Sequence, residues 1–268
     1  MIHIPQAVAR IPILRGVLRL LITAWVHLFH GRYLIERRMG LLLLLDCENV
    51  IDWQLVIAGT WERPELDVLF RLADEQRQMG ARDAVFLDIG AHWGLYALLA
   101  IHRGRFSRIA AFEPDPTNYA QLQANLFLNG AQTSIEALQL AASDRERTFG
   151  LSLRTARNRG GARVVEPAAG QVTCRGVRVD SLFDFADKLL VAKIDVEGHE
   201  LEAIDGLSGL LGRNHCVLQI EVWGEPDTDD YKRRFEELSV KLAGYGIKFV
   251  RSIASDFFFV SNRSGGQP

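Results

Sequence analysis

Cysteine is scarce in this sequence, with three residues in 268. Cys47, Cys174 and Cys216 lie far apart and form no Cys-x-x-Cys pair. Disulfide frameworks and structural zinc sites both need several cysteines at suitable spacings, so neither is expected. A reducing cytoplasm is the compartment that fits this composition best.

Neither charge is in large excess, because the formal net charge is −2. A nucleic-acid partner held by bulk electrostatic attraction is therefore not expected. Long uncharged apolar runs are also missing from the N-terminal part, where the longest, residues 20–31, has twelve residues. A helix that crosses a bilayer needs about 20. This run also lacks the small-residue cleavage site of a signal peptide.

Apolar residues repeat at helical spacing near the N-terminus, which predicts an amphipathic helix within an N-terminal helical extension, residues 1–52. The residues of this stripe are Leu14, Val17, Leu18, Leu21, Trp25 and Leu28. Two interpretations stay open. The stripe packs on the rest of the chain or on a second subunit, or it makes a peripheral membrane contact, with Trp25 and Phe29 at the headgroup boundary. Residues 53–262 are expected to form one α/β domain, followed by a disordered tail, 263–268.

A strand, a glycine turn and a helix are predicted over residues 84–99. The apolar run Val85 to Ile89 enters a loop with Gly90 and Gly94, and helically spaced apolar residues follow. Glycine lets the chain reverse sharply and lets a ligand approach the backbone. The full Gly-x-Gly-x-x-Gly of a dinucleotide site is absent, which weighs against an oxidoreductase of that type.

A second predicted strand, residues 108–112, is followed by Glu113. A second parallel strand in such a sheet presents an acid to a ribose diol, and the distance from the glycine turn suits that role. Asp88, Gly90, Gly94 and Glu113 together therefore predict a nucleoside site at the carboxyl ends of parallel strands.

Four short segments resemble the FkbM family of S-adenosylmethionine-dependent methyltransferases. They are residues 88–96, 112–116, 142–144 and 193–200, within a region of similarity from about residue 55 to 222. The resemblance implies a Rossmann-like class I methyltransferase fold, with a mostly parallel seven-stranded sheet and helices on both faces. It implies S-adenosyl-L-methionine as cofactor. It also implies O-methylation of a hydroxyl on a sugar, glycan, glycolipid or secondary metabolite, so the acceptor is a small molecule, a glycan or a lipid-linked compound.

The resemblance extends the expected cofactor site beyond the nucleoside residues. Ser143 and Asp144, after a predicted third strand over 135–141, are placed near the adenine. His92 belongs to the turn motif, and Glu62 is placed near the methionine amino group. From the residues alone, Glu62 is as readily a helix cap, and Ser143-Asp144 a simple turn.

The segment from Asp195 to Glu200 offers three carboxylates and an imidazole within six residues. Methyl transfer to a hydroxyl requires alignment of donor and acceptor and removal of a proton. His199 is the expected base, with Asp195 and Glu197 orienting the acceptor. A divalent metal on the two carboxylates is an alternative, and no metal is included in the prediction.

Residues 145–178 do not fit an ordinary strand-to-helix crossover. They are polar and β-prone in patches, and they contain arginines at 145, 147, 154, 157, 159 and 163. We predict an inserted β hairpin or flap. Two interpretations of its arginines stay open: they cover the acceptor pocket and contact an anionic substrate, or they form a solvated face. The rival interpretations of the chain are a nucleotide-dependent oxidoreductase and a membrane-associated binding module without turnover.

Overall fold

A computed structural model describes residues 12–29, 31–80, 83–103, 105–153 and 161–262 of the chain. The helices are α1 (Pro12–Phe29), α2 (Val50–Ala58), α3 (Arg63–Gln78), α4 (Leu95–Arg103), α5 (Pro116–Leu128), α6 (Glu200–Gly206), α7 (Ser208–Arg213) and α8 (Asp229–Ala243). The strands are β1 (Tyr33–Arg38), β2 (Leu41–Asp46), β3 (Ala84–Ile89), β4 (Arg108–Phe112), β5 (Glu136–Leu138), β6 (Ala141–Ala142), β7 (Arg147–Ser152), β8 (Arg163–Val165), β9 (Val172–Val177), β10 (Leu189–Ile194), β11 (His215–Glu221), β12 (Ile247–Ile253) and β13 (Asp256–Ser261).

The main sheet has seven strands in the order β12-β13-β11-β10-β3-β4-β5. The strands β11, β10, β3, β4 and β5 are parallel, and β13 pairs antiparallel with both β11 and β12. Strands β3 and β10 are buried along their whole length, as is typical of a parallel sheet covered on both faces. The predicted α/β architecture is confirmed.

Helices cover both faces of this sheet. Apolar residues of α2, α3, α4 and α5 pack on one face in one core cluster, and those of α6, α7 and α8 pack on the other face in a second. Each cluster joins the sheet to helices distant in sequence. Because β3, β4, β10 and β11 are parallel to one another, their carboxyl ends meet at one edge of the sheet.

The third parallel strand is shorter than predicted. Only Glu136–Leu138 pair with β4, and the chain then leaves the main sheet. Ala141–Ala142 form β6 of a separate four-stranded sheet with the order β6-β9-β7-β8. The prediction of one continuous strand over 135–141 was wrong, because an apolar run does not show where a strand changes sheets.

The four-stranded sheet accounts for the described part of the predicted insertion. Strand β7 pairs antiparallel with β8 and β9, and a small core forms around Phe149 and Leu151. Three of the predicted flap arginines, at 154, 157 and 159, lie outside the described residues, and so does the predicted tail, 263–268.

The N-terminal segment is not wholly helical. Helix α1 ends at Phe29, and β1 and β2 then form an antiparallel hairpin that turns at Met39 and Gly40, both with positive φ. The side chains of Asn125 and Asn129 bond the backbone of Leu44 and Leu42 and so attach the hairpin to α5. No described helix has the length and hydrophobicity to cross a membrane.

Candidate active site

The glycine turn after β3 approaches the end of β10 very closely. Gly90 has a φ of 82°, and a Cβ at this position would lie 1.7 Å from the carbonyl oxygen of Asp195. Gly94 has a φ of 89°, and its Cβ would lie 2.4 Å from a methyl group of Leu122 in α5. Both positions therefore require glycine, the first for contact between two strand ends and the second for helix packing.

Two buried carboxylates hold this turn in place. Asp88 Oδ2 accepts the backbone N–H of Ala97 at 2.9 Å, which fixes the first turn of α4. Glu113 Oε2 accepts the N–H of His92 at 2.8 Å, and its Oε1 accepts the N–H of Asp115 at 2.9 Å. Burial raises the pKa of Asp88 to about 6 and that of Glu113 to about 8.

A cavity of about 320 Å³ opens at this edge of the sheet. Most of the predicted site residues line it: Glu62, Asp88, Gly90, His92, Glu113, Asp195, Glu197 and His199. Gly94, Ser143 and Asp144 are not among the lining residues, although the neighbouring Ala141 and Ala142 are. The structure thus gathers residues from widely separated motifs around one cavity. The volume is in the range of small-molecule sites.

A polar row crosses three strands beneath the cavity. Lys193 in β10 pairs in register with Asp88 in β3 and with Gln219 in β11, and all three side chains are buried. The ammonium group of Lys193 lies 2.7 Å from Asp195 Oδ2 and 5.1 Å from the centre of the Tyr96 ring. The surrounding carboxylates, Asp195 foremost, hold the pKa of Lys193 well above its ordinary value, although burial opposes this.

Sequence reasoning missed Lys193 as a site residue. The sequence does indicate that Lys193 is near Asp195, because residues two apart along an extended chain lie on the same face. Nothing local in the sequence shows that both face a cavity.

Tyr96 links Glu62 to the polar row. Its hydroxyl donates to Glu62 Oε2 at 2.8 Å and accepts from Gln219 Nε2, also at 2.8 Å. Gln219 Nε2 in turn bonds Asp256 Oδ1 at 2.7 Å. Glu62 occupies the N-cap position of α3, but its side chain makes no capping bond. The helix-capping interpretation of Glu62 was therefore wrong, and its carboxylate belongs to the cavity wall.

His199 is held by groups on both sides of its ring. Nε2 lies 3.0 Å from Ser143 Oγ, and Nδ1 lies 3.5 Å from a carboxylate oxygen of Glu202. The ring of Phe149 meets it edge-on at 5.3 Å between centroids. Burial lowers the pKa of His199, so the imidazole is neutral at neutral pH.

Arg163 of strand β8 contacts Glu197, which lines the cavity after the end of β10. Its Nε donates to the carbonyl oxygen of Glu197 at 3.2 Å, and its guanidinium stacks over Trp223 at 3.9 Å from the ring centre. Glu197 has a φ of 51°, which is strained for a residue other than glycine. Gly161, Ala162 and Val164, from and just before β8, line the cavity.

The cavity is rich in carboxylates. The charge of Asp195, followed by burial, raises the pKa of Glu221 to about 9, and burial raises that of Asp256 to about 7. Lys193 is the buried cation among them. In the described part of the chain, no three His, Cys, Asp or Glu side chains are grouped so that they could hold a metal ion.

A ligand with adenosine and cationic groups suits these walls. Two buried polar atoms of lining residues, Asp88 Oδ1 and Trp93 Nε1, have no hydrogen-bond partner within the described structure. S-adenosylmethionine carries a ribose diol, an ammonium and a sulfonium. The residues present therefore fit this cofactor, with carboxylates on the wall and a glycine turn that leaves the backbone accessible.

The fold and the site define a class of protein: a Rossmann-like α/β domain with a cavity at the carboxyl ends of its parallel strands. Residues 88–248 match the family described as Methyltransferase FkbM domain. The chain belongs to this family and is an S-adenosylmethionine-dependent methyltransferase. The resemblance recognised in its four motifs is thereby confirmed.

The chain is also similar to individual proteins and solved structures. The chain is 26% identical over 177 residues to the hexuronic acid methyltransferase AglP of Haloferax volcanii, which covers 65% of this chain and 69% of that protein. Among solved structures, it is similar to a ribosomal protein L11 methylase from Lactobacillus delbrueckii subsp. bulgaricus (15% identity, 73% and 77% coverage, TM-score 0.41). It is also similar to TYW2 of M. jannaschii in complex with AdoMet (13% identity, 85% and 84% coverage, TM-score 0.41).

Proposed function

We propose that this methyltransferase methylates a hydroxyl oxygen of a sugar, free or within a glycan, glycolipid or secondary metabolite. The observation that carries the proposal is the shared cavity. The glycine turn and Glu113 lie on its β3–β4 side, and Asp195, Glu197 and His199 lie on its β10 side. The name of the relative AglP, a hexuronic acid methyltransferase, supports a sugar as the acceptor.

The β3–β4 side is the proposed cofactor site. Glu113 holds the turn through two backbone N–H groups, which leaves carboxylate lone pairs for the ribose hydroxyls. Glu62, oriented by Tyr96, is suited to the methionine ammonium. When bound, S-adenosylmethionine supplies an electrophilic methyl group on sulfur. The proposed cofactor residues are Glu62, Asp88, Gly90, His92, Gly94, Glu113, Ser143 and Asp144.

The β10 side is the proposed acceptor site. Asp195 and Glu197 orient the hydroxyl, and His199 accepts its proton. If Nδ1–H faces Glu202, then Nε2 is the basic atom, beside Ser143 Oγ. The carboxylate of Glu202 stabilises the imidazolium that forms. A buried, neutral histidine is suited to this role at neutral pH, where an imidazolium is not.

Calorimetric titration with S-adenosylhomocysteine, with NAD as a comparison, tests the cofactor site. We expect binding of S-adenosylhomocysteine alone. Glu113→Ala should weaken it by roughly 1–3 kcal/mol, because a buried hydrogen-bond partner of the ribose is lost. Glu136→Ala, an exposed glutamate on the neighbouring strand, is the matched control. Glu113→Gln keeps the shape of the side chain and separates loss of charge from loss of folding. Unchanged affinity in both Glu113 variants would remove this residue from the cofactor site.

Transfer of an isotopically labelled methyl group tests the acceptor. Neutral hexoses, hexuronic acids, lipid-linked sugars and RNA are offered in parallel, and the products are analysed by mass spectrometry. A methyl ether survives mild alkali, whereas a methyl ester is hydrolysed. Alkali-stable label on a sugar is the expected result, and label only on an RNA base or only in an ester would contradict hydroxyl methylation.

The same assay tests the base. His199→Ala should reduce turnover by about a hundredfold or more while cofactor affinity is retained. His102→Ala, an exposed histidine at the end of α4, should leave turnover unchanged. Near-normal turnover of the His199 variant would exclude this residue as the base.

A further inference from the structure

Large exposed apolar side chains are concentrated at the N-terminus. Eight lie between residues 17 and 35: Val17, Leu20, Leu21, Trp25, Leu28 and Phe29 on α1, and Tyr33 and Ile35 on β1. Elsewhere in the described residues there are six, on several separate elements: Met79, Phe127, Leu182, Val240, Phe249 and Val250. We call the first group the N-terminal apolar face. Contiguous apolar surface of this kind marks an interaction site.

Helix α1 packs on the rest of the chain with only a small part of its surface. Val26 is fully buried, and Ile22 contacts the same core cluster. By contrast Leu20 is 73% exposed and Leu28 is 75% exposed. The predicted stripe of Val17, Leu21, Trp25 and Leu28 is therefore directed away from the domain.

The charge of this segment is of one sign. Residues 1–35 contain no aspartate or glutamate, and they include arginines at positions 10, 15, 19 and 32, of which Arg32 is paired with Asp46 and Glu48 of the following segment. The rest of the chain therefore carries an excess of acid, since the whole has a net charge of −2. An apolar face within a basic, acid-free segment is complementary to a bilayer with anionic headgroups. A second copy of the chain would bring two basic segments together.

A series of contacts joins helix α1 to the cavity. His27 Nε2 of α1 is 3.5 Å from a carboxylate oxygen of Glu48, and the next residue, Asn49, places Nδ2 3.4 Å from Nε2 of His92, which lines the cavity. Val50 and Ile51, which follow directly, also line the cavity.

We propose that the N-terminal apolar face binds the surface of an anionic lipid bilayer, with α1 lying in the plane of the headgroups. Burial of the apolar side chains supplies one part of the attraction, and the basic residues supply the other. This proposal does not depend on the identity of the methyl acceptor. It is compatible with α1 as described, which does not have the properties of a membrane-spanning helix.

Sedimentation with vesicles tests the proposal on the full chain. The vesicles contain phosphatidylcholine alone, or phosphatidylcholine with phosphatidylglycerol. The wild-type chain should bind the anionic vesicles at least about tenfold more tightly, and added salt should weaken this binding.

A pair of double variants locates the binding surface. Leu20→Gln with Leu28→Gln should lower vesicle affinity at least about tenfold. Phe127→Gln with Val240→Gln replaces side chains of matched exposure, 72% and 75%, and should bind like the wild type. Absence of wild-type binding to anionic vesicles, or equal affinity of the two double variants, would overturn the proposal. So would a concentration-dependent dimer, seen by light scattering, that is lost only in the Leu20/Leu28 variant.

Discussion

Replacement of Lys193 by methionine should destabilise the protein far more than replacement of a surface lysine. Methionine keeps the length and the apolar stem of lysine but removes the charge. The buried ammonium bonds Asp195 at 2.7 Å and lies in register with Asp88. Loss of one partner of a buried ion pair leaves an uncompensated charge, which costs about 3–5 kcal/mol.

The loss should depend on pH. Without Lys193, the pKa values of the nearby carboxyl groups rise further in the folded state, above the already raised values of about 6 for Asp88 and about 9 for Glu221. A group with a raised folded-state pKa favours folding below its unfolded pKa, and this contribution disappears as pH rises through the folded pKa. The Lys193→Met variant should therefore lose the most stability near about pH 8 and less near about pH 5.

Urea unfolding followed by far-ultraviolet circular dichroism at both pH values measures this loss. Lys188→Met is the matched control, because Lys188 directly precedes the same strand and pairs with Asp83 at a partly exposed position. Its loss should be no more than about 1 kcal/mol. Two results would show that the Lys193 ammonium does not stabilise the buried carboxylates: equal losses of unfolding free energy in the two variants, or a loss in Lys193→Met that does not change with pH.

Three further predictions concern Arg163 in β8, the glycine turn and a buried acid. Arg163→Ala should reduce methyl transfer to the acceptor about 3–10-fold, because Arg163 bonds Glu197 of the proposed acceptor site and stacks on Trp223. Arg175→Ala, exposed on β9, should leave transfer unchanged, and the labelled-methyl assay distinguishes the two variants. Gly90→Ala should abolish binding of S-adenosylhomocysteine and lower stability, because its Cβ would overlap the backbone of Asp195. Gly80 is also at positive φ but has space for a Cβ, so Gly80→Ala should cost only about 1–2 kcal/mol of strain, measured by thermal unfolding. Burial raises the pKa of Asp52 to about 7, so the wild type loses folding stability as the pH rises from about 4 to about 7, whereas Asp52→Asn does not. Over this range the free energy of unfolding should shift in favour of the variant by about 2–4 kcal/mol in urea unfolding. Parallel pH profiles of the two proteins would contradict this.

The central strands and the ends of those strands could be predicted from the sequence. Apolar runs of five or six residues predict β3, β4 and β10. An acid at or just after each run lies at the carboxyl edge of the sheet, because these strands are parallel. For this reason Asp88, Glu113 and Asp195 meet at one cavity, as predicted. Asp144 follows β6 of the smaller sheet and not a strand of the main sheet, so its role in the cofactor site stays a prediction.

The remaining site residues depend on contacts between distant parts of the chain. Lys193 is buried because Asp195, Tyr96 and Glu62 surround it, and no local pattern gives that arrangement. Lysine in a strand more often indicates an exposed edge. The orientation of α1 was likewise unpredictable, because apolar periodicity identifies a stripe without showing which residues of it find a partner.

The order of the strands has a consequence for the synthesis of the protein. Strand β3 occupies the middle of the sheet, but its neighbour β10 follows only after β4, β5 and the whole four-stranded sheet have been made. When the glycine turn leaves the ribosome, the nascent chain still lacks β10, whose end packs against Gly90. A ligand of the cavity cannot act as a template for early folding, because the cavity is complete only after β10 and β11 have left the ribosome. Until then an apolar strand edge is exposed, so slow, chaperone-assisted folding of the first half is expected.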